Sequence, residues 1–250
     1  MRRILLALLL SLAPGAKASE PFALQSENCV LQVKDSETGE SRARSTIRIE
    51  RKEGVVHFVE DRRRADVGPM LFRLTIDPAS LLPTSWEATF GGNGEQTVVH
   101  LSMLEDHLEV RVRKGDQEPE VRKVKKPKEP FVVAPLLRYY LAHRMESGVA
   151  DGIFVNIGVG PDGAVKMTEV EVTDGGEVEI EVPAGTFRCR RLLVGPASLF
   201  LAAVVPAGEM YLAVEGTHPL VKATTRASRF SSSMVTELTS YTRDSQAPLR

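Results

Sequence analysis

Apolar and polar residues alternate one by one along much of the chain. Clear examples are residues 47–50, 72–77, 108–113 and 178–182, where Val, Leu, Ile or Phe alternates with a charged residue or Thr. A period of two is typical of a β-strand that buries one face. Strands of a buried parallel sheet are apolar on both faces, so the charged face predicts antiparallel pairing.

Glycine-containing turns separate these runs, at residues 51–54, 91–94, 160–163 and 173–176. Glycine supplies the positive φ that tight hairpin turns require. About a dozen strands at this short spacing predict a mainly β fold, either an antiparallel β-barrel or a strongly curved sheet.

One segment, near residues 135–147, departs from the alternation. Its apolar residues recur near helical spacing: Leu137, Tyr140, Leu141 and Met145. Pro135 suits a first helical turn and Gly148 suits a helix end. We therefore expect one short helix that lays its apolar face on the sheet and covers an open side or end.

The best candidate for a domain boundary is the stretch of residues 118–130, whose Pro- and Lys-rich composition predicts a flexible loop. It separates a β-meander near 28–114 from the helix and a second meander near 150–242. The two meanders either close one barrel or form two units, and we favour a single β-barrel-like domain over 19–242. Residues 243–250 are polar and are expected to fray.

The first 18 residues resemble a secretory signal peptide. Arg2 and Arg3 precede a run of nine mostly apolar residues, and Ala16 and Ala18 give a small-x-small ending. The run is too short to span a membrane, which takes about 20 residues. We expect cleavage after Ala18 and a periplasmic or secreted protein without a transmembrane segment; the alternative is an uncleaved N-terminal anchor.

Charge and cysteine content narrow the function classes. The 250 residues carry a net charge of −1, and loss of the leader leaves 29 basic residues against 33 acidic ones, so we expect no nucleic-acid partner. Two cysteines cannot build a four-Cys zinc site. Cys29 and Cys189 both lie on apolar strand faces, where they either pair as a disulfide or remain isolated buried thiols.

Catalytic signatures are weak. Residues 158–163 match G-x-G-x-x-G, but a strand-like run follows instead of the helix that a dinucleotide site needs, so we interpret the motif as a hairpin turn. We find no nucleophile elbow and no zinc-protease motif. The sequence therefore predicts no catalytic residue, no metal site and no cofactor.

Basic residues cluster at Arg62–Arg64 and again at Arg122, Lys123, Lys125, Lys126 and Lys128. In an exported protein such clusters suit anionic lipid head groups, lipopolysaccharide phosphates or acidic glycans. The alternative is solvated surface.

The segment from Gly176 to Arg190, with Pro183-Ala184-Gly185-Thr186-Phe187 at its centre, resembles the "PAGTF" hairpin of exported bacterial domain-of-unknown-function families. The resemblance implies an envelope location and a fold similar to the half-barrels of periplasmic lipoprotein carriers. It implies no catalytic residues. Physically, Pro183, Gly185 and Phe187 fit a structural corner, since Pro183 lacks an N–H and Gly185 allows a sharp bend.

Together these features favour a non-catalytic envelope protein that binds a lipid or another amphipathic ligand in the concave face of its sheet. The candidate lining residues are aromatic or aliphatic: Phe72, Leu74, Ile76, Trp86, Phe90, Phe154 and Phe187. One alternative is a structural or assembly partner with a solid core that binds another envelope protein. Another is an enzyme such as a glycan hydrolase, which needs two convergent carboxyl groups in a cleft.

Overall fold

Strands dominate the computed structural model, which describes residues 26–52, 54–64, 68–78, 80–91, 96–149, 151–226 and 231–243. The mainly β prediction is confirmed, since 66% of the described residues lie in strands. The predicted leader, residues 1–18, lies outside the described residues. Arg243 ends the last strand, and residues 244–250 of the predicted tail lie outside the described residues.

The described residues form fifteen strands in one sheet, so the expectation of about a dozen was too low. The strands are β1 Glu27–Asp35, β2 Ser41–Lys52, β3 Val55–Arg64, β4 Gly68–Ile76, β5 Pro83–Phe90, β6 Thr97–Met103, β7 His107–Lys114, β8 Glu120–Lys125, β9 Phe131–Val133, β10 Gly152–Val159, β11 Val165–Val182, β12 Gly185–Pro196, β13 Gly208–Ala213, β14 Leu220–Arg226 and β15 Ser233–Arg243. Their spatial order is β8-β7-β6-β5-β4-β3-β2-β1-β15-β14-β13-β12-β11-β10-β9.

The sheet joins two meanders through its first and last strands. β1 pairs with β15 over the full length of β1, which places these two strands in the middle of the sheet. Every neighbouring pair is antiparallel except β9 with β10, which is parallel, so the sheet is mixed. It is not closed: β8 and β9 are its edges. Of the two predicted forms, the closed barrel is therefore wrong.

The sheet curls until its β8 edge reaches the β10–β11 turn. Arg122 of β8 donates a hydrogen bond to the Asp162 carbonyl oxygen (2.9 Å). Gly163, at φ +74°, has no room for a Cβ because Val112 Cγ2 occupies that place. This contact joins two parts of the sheet that are far apart in strand order.

Residues 118–130 are not wholly a loop, which corrects the prediction. Residues 120–125 form β8 and pair with β7. Val121 and Val124 are β-branched residues that suit a strand, and β8 supplies partners for backbone groups that β7 would otherwise leave unpaired. Their charged neighbours conceal the strand in the sequence.

The predicted helix is present as α1, Leu137–Glu146, after a 3-10 turn at Ala134–Leu136. Its buried face differs from the expected one. Arg138, Tyr139, Leu141 and Ala142 are buried, whereas Leu137, Tyr140 and Met145 are only partly buried. The ring of Tyr139 meets Phe58 edge-on at 6.0 Å. A buried Arg on this face is unexpected from sequence and requires a buried partner.

A second helix, α2 at Leu199–Val204, lies between β12 and β13 and was not predicted. Across the residues that the structure describes, neither helix has the length and apolar character to cross a membrane.

Candidate functional site

A groove of about 620 Å³ opens at the end of the sheet where β1 finishes and β15 begins. Its apolar lining comes from β1, β2, β14 and β15: Leu31, Val33, Ala43, Leu220 and Met234. Three arginines complete it, Arg42, Arg62 and Arg64. We call this feature the rim groove. The five apolar residues are called its apolar floor. The polar lining adds the Asp35 carboxylate and the hydroxyl groups of Ser45, Thr225, Ser232 and Thr236 to the three arginines.

Two of these arginines reach the rim groove because they continue the buried face of β3. Side chains two residues apart in a strand lie on one face. Val56, Phe58 and Glu60 are buried, and Arg62 and Arg64 follow them in the same phase. The inner face of β3 thus changes from apolar to cationic within one strand.

Arg62 is held in place by the buried carboxylate of Glu60. Its Nη2 and Nε lie 2.7 and 2.9 Å from Glu60 Oε1, and Nε also donates to Ser45 Oγ at 3.2 Å. The guanidinium carbon lies 5.8 Å from the centre of the Phe72 ring. The groove therefore has one oriented guanidinium, paired with a buried carboxylate, next to an aromatic surface.

Asp35 ties the two hairpins of the rim together. Its Oδ1 accepts hydrogen bonds from the backbone N–H groups of Thr38 (3.1 Å) and Glu37 (3.0 Å), and Ser232 Oγ donates to Oδ2 at 2.9 Å. These bonds, that from Thr38 first, lower the pKa of Asp35 to about 2. Arg42 Nη2 lies 3.7 Å from Oδ2. The carboxylate therefore stays ionised and holds the β1–β2 turn against the chain entering β15.

The seven predicted lining residues do not line the rim groove. Phe72, Leu74, Ile76, Trp86 and Phe154 are buried in the core, and Phe90 packs against that core. Phe72 lies 6.2 Å from Trp86 and 6.1 Å from Phe90, measured between ring centres. Phe187 lines a smaller groove of about 450 Å³ with Tyr241 and Arg243.

The second basic cluster divides between β8 and the chain after it. Arg122 is engaged by Glu120, with Nε to Oε1 at 2.6 Å and Nη2 to Oε2 at 2.9 Å. Lys123 is exposed on β8. Lys125, Lys126 and Lys128 line a groove of about 420 Å³ with Glu129 and Glu169. Nearby carboxylates thus offset part of this positive charge.

The two cysteines are free, buried thiols. Cys29 lies on β1 and Cys189 on β12, with β13, β14 and β15 between them, which is roughly 19 Å along the sheet at normal strand spacing. Burial raises the pKa of each thiol to about 11. Of the two alternatives for these residues, the structure therefore has the isolated thiols.

A buried polar cluster anchors α1 to the sheet near Cys29. Glu27 Oε1 accepts hydrogen bonds from Arg138 Nη2 (3.1 Å) and Tyr139 OH (2.9 Å), and Oε2 accepts one from Thr217. Tyr241 OH lies 2.8 Å from the Thr217 hydroxyl. The Arg138 guanidinium also lies 4.2 Å from the centre of the Tyr139 ring. The sequence gives no sign of this cluster, because its members are spread over four elements or connections.

The proposed corner is a two-residue hairpin turn. Pro183 and Ala184 connect β11 to β12, and the Ala184 N–H donates to the Leu238 carbonyl oxygen at 3.2 Å. Gly185 has φ 130°, a conformation that disfavours side chains. Phe187 follows and packs against the core.

A cavity of about 440 Å³ at the end of α1 contains several ionisable groups. His218 Nε2 lies 3.1 Å from Glu146 Oε1, and its Nδ1 lies 2.7 Å from the Ala213 carbonyl oxygen. Arg190 Nε donates to Asp174 Oδ1 at 2.8 Å, and this bond lowers the pKa of Asp174. These groups are engaged with one another. Within the described ranges, no group of three or more His, Cys, Asp and Glu side chains is placed to hold a metal ion.

Helix α2 presents unusually exposed apolar side chains. Leu199 is 87% exposed and Phe200 is 90% exposed, and Leu201 and Val204 are exposed as well. A sequence signal existed, since residues 192–208 contain no charged residue. The run was too short and too rich in Gly and Pro to stand out as a helix.

This chain resembles known proteins in its fold, and the similarity comes from solved structures. No protein-family profile matches the chain, and neither does any curated protein. A β-barrel-like protein of domain of unknown function DUF1849 from Brucella abortus is similar, with a TM-score of 0.57 and 8% identity over 88% of this chain and 98% of that one.

Two further structures match over similar lengths with lower scores. One, from Bacteroides fragilis, is described as exported with a YmcC-like fold (TM-score 0.34, 9% identity, 88% of this chain and 96% of that one). The other, from Parabacteroides distasonis, is described as a lipoprotein (TM-score 0.32, 10% identity, 87% and 95%). Only the likeness to the DUF1849 protein is strong enough to establish the fold, which is β-barrel-like.

Proposed function

We propose that this protein is a non-catalytic, extracytoplasmic protein that binds an amphiphile, such as an anionic lipid or the acyl chain of a lipoprotein, in the rim groove. The observation that carries the proposal is the junction of an apolar floor with three arginines in one groove of about 620 Å³. Two of the arginines also pair with carboxylates, Arg42 with Asp35 and Arg62 with Glu60. The location rests on the leader-like pattern of residues 1–18 and on the resemblance to exported families.

The chemistry of the groove matches the two parts of such a ligand. An acyl chain gains about 0.8 kcal/mol for each methylene group it buries, and the apolar floor supplies that environment. Guanidinium groups bind carboxylates and phosphates with two parallel hydrogen bonds. The volume lies within the roughly 300–1,000 Å³ range of small-molecule sites.

Two experiments test the proposal. Native mass spectrometry of protein purified from its own host is expected to show a bound amphiphile. Titration of the ligand-free protein with cis-parinaric acid, a fluorescent fatty acid, is expected to show saturable binding that Arg64→Gln weakens and Met234→Asp abolishes. Arg51→Gln is the matched control, because Arg51 is an exposed arginine at the opposite end of β2.

Absence of a ligand in the purified protein together with no saturable binding of cis-parinaric acid would refute this function. So would equal weakening by Arg64→Gln and Arg51→Gln, since the binding would then reflect net charge alone. In that case the alternative of a structural or assembly partner predicts co-purification with one specific envelope protein.

An enzymatic role receives less support from the geometry. A general acid or base needs a perturbed group that faces an open site. In the cavity at the end of α1, Glu146 and His218 contact each other, and Asp174 and Arg190 form an ion pair.

A further inference from the structure

Helix α2, which we call the tip, is apolar and is hydrogen-bonded to the sheet at its base. Ala197, just before it, donates its N–H to the Glu169 carbonyl oxygen (3.0 Å), which attaches the base of the tip to β11. Within the tip, the N–H groups of Ala202 and Val205 donate to the Ser198 and Leu201 carbonyl oxygens. The backbone is thus held while Leu199 and Phe200 stay 87% and 90% exposed. Contiguous exposed apolar side chains mark surfaces that contact an apolar partner.

The exposed charged residues near the tip include two cations and one acidic residue, Glu169, whose carbonyl oxygen accepts the Ala197 hydrogen bond. Lys166 lies at the start of β11, on one side of the β12–β13 connection, and Arg226 at the end of β14, on the other side; both are exposed. In an antiparallel sheet the β1–β2, β3–β4, β12–β13 and β14–β15 connections lie at one end. Arg62 and Arg64 of the rim groove therefore belong to the same end of the sheet as α2.

We propose that α2 inserts into the surface of a lipid bilayer that contains anionic lipid. An apolar tip flanked by Lys166 and Arg226, with Arg62 and Arg64 at the same end of the sheet, is complementary to such a surface. The apolar side chains enter the boundary of the acyl region and the cations meet the head groups. The tip does not span the bilayer, since six helical residues are far fewer than the roughly 20 required.

A second copy of the chain fits this surface less well. A stable protein interface buries about 800 Å² on each partner, whereas the exposed apolar side chains of α2 offer roughly 500 Å² at the area of large apolar residues. Tight association with a protein therefore needs more surface than the tip provides.

The inference does not depend on ligand binding in the rim groove, although it offers a source for the ligand. A tip that docks at the bilayer places the mouth of the groove, at the same end of the sheet, towards the lipid head groups. The two proposals have separate variants, since Phe200→Asp changes the tip and Arg64→Gln changes the groove.

Vesicle flotation of the mature protein tests the inference. The protein is expected to bind vesicles of phosphatidylcholine mixed with phosphatidylglycerol more strongly than vesicles of phosphatidylcholine alone, and to lose this difference at high salt. Phe200→Asp is expected to lower the partition coefficient by about tenfold or more, because a carboxylate replaces an inserting ring. Lys166→Gln and Arg226→Gln are each expected to lower it roughly fivefold.

Leu104→Asp is the matched control. Leu104 is 41% exposed in the β6–β7 connection, at the opposite end of the sheet, and is expected to tolerate the change without loss of vesicle binding. Far-UV circular dichroism verifies that each variant folds. In Phe200→Trp, the new indole is expected to be quenched by brominated lipid, while Trp86, which is buried, gives an unquenched background.

Three outcomes would overturn the inference. The first is no binding of the wild type to anionic vesicles, and the second is equal binding by Phe200→Asp and the wild type. The third is self-association of the wild type that Phe200→Asp abolishes, which would assign the tip to a second copy. If Phe200→Asp loses vesicle binding but still binds cis-parinaric acid, the membrane contact of the tip is separated from ligand binding in the rim groove.

Discussion

Breaking the buried ion pair between Glu27 and Arg138 should strongly destabilise the protein. The two side chains are 0% and 6% exposed, and Arg138 Nη2 lies 3.1 Å from Glu27 Oε1. Arg138→Met keeps most of the aliphatic length of the side chain and removes the charge. The carboxylate of Glu27 would then keep its hydrogen bonds with Tyr139 and Thr217 and its contact with the Cys29 thiol (3.6 Å).

The expected loss in the free energy of unfolding is about 3–5 kcal/mol, the usual cost of leaving a buried charge without its partner. Because Met fills the space of the Arg stem, a cavity adds little to this value. Most domains are stable by about 5–15 kcal/mol in total. The variant should therefore still fold, with a much lower unfolding midpoint.

A double variant separates loss of the partner from loss of packing. Glu27→Gln combined with Arg138→Met removes both charges, and the Gln amide can still accept from Tyr139 and donate to Thr217. Replacing a buried pair by neutral groups is often nearly neutral. We therefore expect the double variant to be more stable than Arg138→Met alone.

Urea unfolding followed by the fluorescence of Trp86, the only tryptophan, measures these values. Arg48→Met is the control, because Arg48 forms an exposed pair with Glu50, and such a pair is worth about 0–1 kcal/mol. The reasoning is refuted if Arg138→Met costs no more than Arg48→Met, or if the double variant is less stable than Arg138→Met.

Three further predictions concern other parts of the sheet. The pKa of Asp35 is depressed to about 2, so its contribution to stability is present above the unfolded-state pKa of about 4 and is lost as pH falls towards 2. In thermal unfolding at a series of pH values, Asp35→Asn should flatten this acid dependence, and an unchanged pH profile would contradict the prediction. Cys29 and Cys189 should react slowly with Ellman's reagent in the native protein and give two thiols in urea without reductant; fewer than two would indicate a disulfide. Gly163→Ala should lower the free energy of unfolding by more than the roughly 1–2 kcal/mol expected from positive φ alone. Gly54→Ala, with φ +80° and open space around it, should show only that cost, and equal losses would exclude the contact across the curled sheet.

Local pattern was enough to predict most of the strands. Alternation such as that in residues 72–77 shows which face of the strand is buried, because side chains two residues apart lie on the same face. The helix was found for a similar reason, since Pro135 and Gly148 mark its limits. The sequence does not predict β8, because its alternating lysines and valines fit an exposed edge strand and a solvated loop equally well.

The candidate site was only partly visible in the sequence. The arginines at residues 62–64 were noted as a cluster, but their phase with Phe58 and Glu60 gives them different roles, and that phase matters only once the inner face is known. The aromatic residues expected to line a ligand site, such as Phe72 and Trp86, pack against one another. Composition and alternation are the same for a packed core and for a cavity wall.

The sequence by itself determined a mainly β chain with one-sided strands, a short helix near residue 140 and turns at glycine. These features depend on backbone propensity and on local periodicity. The pairing of β1 with β15, the open edges, the Glu27–Arg138 pair and the junction of apolar floor and arginines in the rim groove were decided by the tertiary structure. Each brings together residues that are distant in the chain, and such contacts arise from the packing of the whole sheet rather than from any local segment.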